Sequence, residues 1–360
     1  MVSKLSNKNK QIARYVNGSD VIYSLSKLSM IEKMFIRLIC TFVFVFTSVH
    51  LHSQGGSDPY IKWIGQFPEI KSDSKARFKG RFLEYTFGKG KADFLFRPVS
   101  VVAFDSANFW ILDQEAGIIL KVKDGVGEMP HFRGKNPEKF PSLVGACPAG
   151  PEKILFTDSY DNRLYQYELN KKTLSILNDT LQLDRPTGIA YSTVNQSIYI
   201  VETNSHRVTE LDENGKILRR IGTRGTQPGE FNFPTSIWID DSGKVFIVDA
   251  MNFRIQIFSP DGELISVFGK AGDATGYFAR PKGIATDSQG NIYVADALFN
   301  TIQIFDIQGK FLYNFGAQGR GKGEFWMPSG IYIDKHDYIY VADSYNSRIQ
   351  VFRLIKGKEQ

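Results

Sequence analysis

The stretch Pro328-Ser-Gly-Ile-Tyr-Ile-Asp-Lys-His-Asp-Tyr-Ile-Tyr-Val-Ala-Asp343-Ser-Tyr-Asn346-Ser-Arg348-Ile-Gln350-Val-Phe352 decides the fold, because its grammar recurs along the chain. Proline and glycine open a short apolar run, and an Asp-containing turn follows. A β-branched and aromatic run then ends in Asp, and Asn, Arg and Gln lead into a third, alternating run. The same phrase starts at Pro98, Pro141, Pro186, Pro234 and Pro281, at intervals of 43 to 48 residues. A repeat of this length holding four short strand patterns predicts propeller blades rather than helical pairs.

The fifth copy shows all four strands, over residues 283–287, 291–296, 301–306 and 311–315, before Gly316, Gly319, Gly321 and Gly323 lead into the next copy. Glycine there allows a tight path from the outer strand of one blade to the inner strand of the next. The pattern therefore predicts an all-β, six-bladed β-propeller over residues 81–354, with four antiparallel strands per blade and a polar tail at 355–360. The sixth copy stops after its third strand. Residues 82–87, followed by Gly88, Gly90 and Phe94, look like the missing fourth strand, so an N-terminal strand is expected to complete the last blade and remove an open sheet edge.

Residues 1–57 read as a basic leader, with an apolar core at 38–49 and a linker at 58–80. A 12-residue apolar run suits a signal peptide and is short for a membrane span. Export to a secreted or periplasmic location is expected, with an uncleaved anchor holding the propeller outside the membrane as the alternative. Residues 1–54 hold seven of the 44 Lys and Arg but two of the 38 Asp and Glu, so the net charge of +6 belongs mainly to the leader. A near-neutral body gives no global signal for nucleic acid, and none is expected as a partner. Cys40 lies in the apolar run and Cys147 stands alone in the body, which excludes an internal disulfide after processing.

The repeated phrase resembles the NHL-repeat family, most fully at 340–352 and closely at Asp249-Ala-Met-Asn252-Phe-Arg254-Ile-Gln256. Blade 2 keeps Asp158 and Arg163, and blade 3 has Glu202 with Arg207. Blade 5 departs, with Phe299 and Thr301 where the pattern has Asn and Arg. An acid and an arginine five residues apart across one turn can form a charge-assisted pair. The pairs Asp158/Arg163, Glu202/Arg207, Asp249/Arg254 and Asp343/Arg348 are therefore read as structural blade ties, since a feature present in most blades belongs to the blade.

The resemblance also implies metal-dependent propeller enzymes of lyase or lactonase type as an alternative. A zinc site needs about three convergent ligands with an open position. Past the leader only His131, His206 and His336 remain, and the last two fall in turns at opposite ends of a blade. No catalytic set and no cofactor are expected, with a carboxylate calcium site at the central channel left open. The face formed by the turns between second and third strands and by the connections from one blade to the next carries Tyr160, Asn204, His206, Met251, Phe253, Leu298, Phe299, Trp326 and Tyr345. Clustered exposed aromatic and apolar groups favour a binding or scaffolding module for a protein or glycan.

Overall fold

The computed structural model describes residues 60–69, 94–132, 139–179 and 181–356. Strand β1 (Tyr60–Phe67) comes first in the chain but lies in the last blade. Blade 1 contains β2 (Pro98–Asp105), β3 (Asn108–Asp113), β4 (Ile118–Lys123) and β5 (Val126–Glu128). Blade 2 contains β6 (Leu143–Pro148), β7 (Lys153–Asp158), β8 (Arg163–Glu168) and β9 (Thr173–Ile176). Blade 3 follows with β10 (Pro186–Ser192), β11 (Ser197–Glu202), β12 (Arg207–Leu211) and β13 (Ile217–Ile221).

Blade 4 contains β14 (Ser236–Ile239), β15 (Val245–Asp249), β16 (Arg254–Phe258) and β17 (Leu264–Phe268). Blade 5 contains β18 (Pro281–Thr286), β19 (Ile292–Asp296), β20 (Thr301–Phe305) and β21 (Phe311–Phe315). Blade 6 joins β22 (Pro328–Ile333), β23 (Tyr338–Asp343) and β24 (Arg348–Ile355) to β1. Every pairing within the blades is antiparallel, and the molecule is a six-bladed, all-β propeller.

The second strands β11, β15 and β19 are wholly buried and the others are buried past their first residue, so they read as apolar runs; the outer strands β17 and β21 are half exposed. The core lies between blades. The residue three before the first position of each copy (Pro98, Leu143, Pro186, Pro234, Pro281 and Pro328) plugs a blade junction: Leu95, Phe140, Leu183, Phe231, Phe278 and Phe325 are each at most 3% exposed. Burying one such side chain contributes about 1.5–3 kcal/mol. Gly269, at φ +95°, explains the recurring Phe-Gly: a Cβ there would meet the Phe278 ring at 2.4 Å.

The glycine of the Pro-x-Gly phrase has a different cause. A Cβ on Gly283 would stand 2.4 Å from the Ser329 carbonyl oxygen and 2.9 Å from the Ile331 nitrogen, so the inner strands of neighbouring blades approach too closely for any side chain. Gly145, Gly188 and Gly330 face the next inner strand in the same way.

This register corrects the start of blade 2. Leu143, not Pro141, pairs with Asp158 as Pro281 pairs with Asp296, and Gly145 and Phe140 then fall into the glycine and plug positions. Packing of the plug and close approach of the strands define the blade; a proline at the first position is dispensable.

The ring closes through an N-terminal strand, but the strand is Tyr60–Phe67, inside the segment expected as linker; residues 82–87 lie outside the described residues, as do the leader and its apolar run. β1 pairs with β24 from Tyr60 against Ile355 to Phe67 against Ile349, with a bulge between Trp63 and Gly65. Trp63 Nε1 donates to Gln350 Oε1 (3.0 Å), and Arg348 Nη1 donates to Gln66 Oε1 (3.1 Å). Among the described residues, no helix is long and apolar enough to cross a membrane.

Candidate functional site

In each blade the turns between second and third strands share one end of the ring with the connections between blades; this is here the upper end. The residue two beyond the Asp or Glu that closes the second strand occupies an equivalent place in all six turns: Glu115, Tyr160, Asn204, Met251, Leu298 and Tyr345. In blades 2 and 5 the buried acid holds the turn backbone, and in blades 4 and 6 the Met251 and Tyr345 N–H groups bond the Asn232 and Trp326 carbonyls. Asp158 Oδ1 accepts the Tyr160 N–H at 2.9 Å, and Asp296 Oδ1 accepts the Leu298 N–H at 3.2 Å. With the backbone fixed, the side chains are free to project, and Tyr160, Met251, Leu298 and Tyr345 are 52–75% exposed.

The other residues expected on this face divide by environment. Trp326 and Tyr345 form a pair with ring centroids 5.9 Å apart, and the Arg320 guanidinium lies 5.0 Å from the Trp326 centroid. Asn204 is exposed but tied to Asp184 (3.2 Å). Phe253 is half-buried against the cluster containing Phe268 and Phe278, and Phe299 is half-buried. His206 is buried: its Nδ1 accepts the Phe233 N–H (3.1 Å), and its ring centroid lies 4.3 Å from that of Phe233. Its geometry is that of a turn-stabilising group.

The ties differ among blades. Arg254 Nε donates to Asp249 Oδ2 (2.7 Å), while its Nη atoms donate to the carbonyls of Thr226, Gln227 and Glu230. Arg348 repeats this with Asp343 and the carbonyls of Arg320, Gly321 and Glu324. Each arginine thus binds its own blade to the loop that enters it. Arg207 pairs with Glu202 at 2.8 Å.

Arg163 does not pair with Asp158. It turns outward to Asp179 (3.3 Å), and Asp158 accepts the N–H groups of Ser142, Tyr160 and Asp161 instead. In blade 5 Thr301 replaces the arginine, and burial raises the pKa of Asp296, offset in part by N–H donors from Ala279, Phe299, Arg280 and Leu298.

Inside the ring lies a cavity of about 1040 Å³ lined by the inner strands. Its charges are segregated. Arg185 and Lys282 line the upper part, whereas Asp240, Asp241, Asp287 and Asp334 belong to turns at the lower end, together with Lys244 and Lys335. Asp240, Asp287 and Asp334 each accept turn N–H groups through Oδ1. Partway down, Trp238 of blade 4 reaches past blade 5 to Tyr332 of blade 6, with ring centroids 5.4 Å apart at 74°. This contact makes a partial floor beneath the upper compartment.

Among the described residues, no group of three or more His, Cys, Asp and Glu could hold a metal ion. His336 sits in the turn between β22 and β23, at the end opposite His206. The channel residues escaped notice in the sequence. Their signal is the position after the first residue of each copy, which reads Val99, Val144, Thr187, Thr235, Lys282 and Ser329 and so carries a single charge.

A family described as a 6-bladed beta-propeller matches residues 178–266 and 285–358. No curated protein matches the chain. Among solved structures, the chain is similar to an auxiliary nutrient binding protein from Bacteroides thetaiotaomicron, at 13% identity and TM-score 0.60 over 83% of this chain and 78% of that one. An auxiliary nutrient binding protein from Bacteroides ovatus is similar at 11% identity and TM-score 0.59, over the same shares of the two chains. Virginiamycin B lyase from Staphylococcus aureus shares 18% identity at TM-score 0.52, over 72% of this chain and 95% of that one. These likenesses show the propeller fold, to which both binding proteins and an enzyme belong.

Proposed function

We propose that this protein is an exported NHL-type propeller that binds a protein or glycan on its upper face. One observation carries the reading: four of six equivalent turn positions around the channel mouth hold large apolar side chains that are more than half exposed. Their backbones are already fixed, Tyr160 and Leu298 by donation to the buried acids and Met251 and Tyr345 by donation to the Asn232 and Trp326 carbonyls, so these side chains are not needed to hold the turns. Apolar and aromatic groups held on rigid turns order less of the backbone on contact with a partner. The similarity to auxiliary nutrient binding proteins supports a binding role, and the apolar run at 38–49 supports export.

The test titrates the full chain with a panel of soluble polysaccharides and extracytoplasmic proteins, following tryptophan fluorescence. At least one should bind, and Tyr345→Ala combined with Leu298→Ala should weaken it by about tenfold or more at unchanged Tm. Loss of Tm with unchanged affinity, or no binding across the panel, would reject the reading.

A further inference from the structure

In blades 3 and 6 the upper channel wall ties up its own polar groups. Thr187 Oγ1 and Thr203 Oγ1 are 2.7 Å apart, and Ser329 Oγ and Ser344 Oγ are 2.6 Å apart. Thr203 and Ser344 also bond the Pro234 and Pro98 carbonyls of the next blades. Blades 4 and 5 break this arrangement. The counterparts of Thr203 there are Ala250 and Ala297, which have no hydroxyl. Thr235 Oγ1 is consequently buried with no hydrogen-bond partner. Lys282, at the same position in the adjacent blade, enters none of the ion pairs among the described residues.

We propose that these two groups form a carboxylate-binding site in the upper channel, with Lys282 Nζ and Thr235 Oγ1 each donating to one oxygen. A buried hydroxyl without a partner and a half-buried ammonium without an ion pair are costly unless a ligand completes them. Arg185, which lines the same compartment, adds positive potential, and the cavity's carboxylates lie at the other end. Two donors match the two oxygens of a carboxylate. Phosphate sites generally recruit main-chain N–H groups as well, and here the Thr235 and Gly188 N–H groups are already bonded to Val248 and Thr235 carbonyls. Burial, with Arg280 and Arg185 nearby, lowers the Lys282 pKa, which an arriving anion would reverse. This site rests on the binding role above only for what carries the carboxylate; the anion site is tested separately.

The test titrates the full chain with acetate, D-glucuronate and inorganic phosphate by calorimetry, alongside Lys282→Met, Thr235→Val and, at the lower mouth, Lys335→Met. Acetate or glucuronate should bind the parent and Lys335→Met equally, and Lys282→Met should bind about tenfold more weakly or worse. Lys282→Met should also raise Tm, because it removes an unpaired, half-buried cation; a purely structural lysine would give the opposite. In the parent, Lys282 should be acylated at neutral pH faster than exposed lysines and be protected by acetate, as read by mass spectrometry. Equal carboxylate affinity in Lys282→Met, a lowered Tm, or tighter binding of phosphate than of carboxylate would overturn the proposal. Carboxylate binding that survives loss of the upper-face partner would leave this site standing while rejecting the function proposed above.

Discussion

The indole Nε1 of Trp63 donates to Oε1 of Gln350 at 3.0 Å, across 287 positions of the chain. The same Gln350 oxygen accepts the Gly323 N–H, and the Gln350 amide donates to the Glu324 carbonyl and to Asp343 Oδ2. The closing strand is therefore joined to the polar network that binds blade 6 to its entry loop. Trp63→Phe keeps the apolar ring but deletes the donor, and should lower stability by about 1 kcal/mol in urea unfolding. No change would mean that the strand is held by its ladder alone.

Arg348 and Arg163 occupy the same place in the repeat yet should behave differently. Arg348→Met removes the charge partner of the buried Asp343 carboxylate and one donor from each of three loop carbonyls, at an expected cost of about 3–5 kcal/mol. Arg163 makes an exposed pair with Asp179, and Arg163→Met should cost about 0–1 kcal/mol. Thermal denaturation of the two variants side by side settles the comparison, and equal losses would contradict the geometry.

Gly283→Ala tests the spacing of the inner strands. The added methyl would overlap the Ser329 carbonyl oxygen and the Ile331 nitrogen, neither of which can move without displacing a blade. A loss of about 1–3 kcal/mol or more is expected from chemical denaturation. Gly290→Ala is a control in open space, where the only penalty is the positive φ of 82°.

Two carboxyls should give opposite pH signatures. Burial raises the Asp296 pKa from 3.8, so its contribution is complete below 3.8 and is lost as pH rises through the folded value. Burial would also raise Asp337, but the bonds from Lys356 and Ser288 outweigh it and the folded pKa is lowered. That contribution is present above 3.8 and is lost as pH falls through the folded value. Asp337→Asn should cost about 1 kcal/mol near neutrality, and the difference from the parent should vanish at the acid end. A gap independent of pH would show that its charge is not involved.

Cys147 is 7% exposed and packed with Leu155, Leu164 and Ile189, and burial pushes its thiol well above the ordinary range. A thiol reagent should leave it unmodified in the native protein and label it fully in urea. Rapid native labelling would place it in an accessible part of the channel.

Strand periodicity and the ties of blades 4 and 6 were legible in the sequence because they are local: Asp249 and Arg254 face each other across one hairpin turn. The start of blade 2 was misread because proline is a marker of the inner strand, while Phe140 and Gly145 carry its physical requirements. Arg163 was misread because an arginine's partner depends on the loop entering the blade, which a repeat does not encode. The closing strand was misplaced because an outer strand is half exposed and alternates weakly, and its partner lies almost the whole propeller away. Lys282 could have been noticed as the lone charge in its column, but only a closed ring shows that this column faces a channel.

The pairing of β1 with β24 also has a temporal side. At ribosomal rates of about 5–20 residues per second, the early strand waits roughly 15–60 s for its partner to be synthesised. Until then the outermost position of blade 6 is vacant, and β1 has exposed backbone donors and acceptors that favour self-association. Nascent chains that stop short of β24 never satisfy that strand. Ring closure thus separates finished molecules from truncated ones, leaving the latter recognisable to whatever removes incomplete proteins.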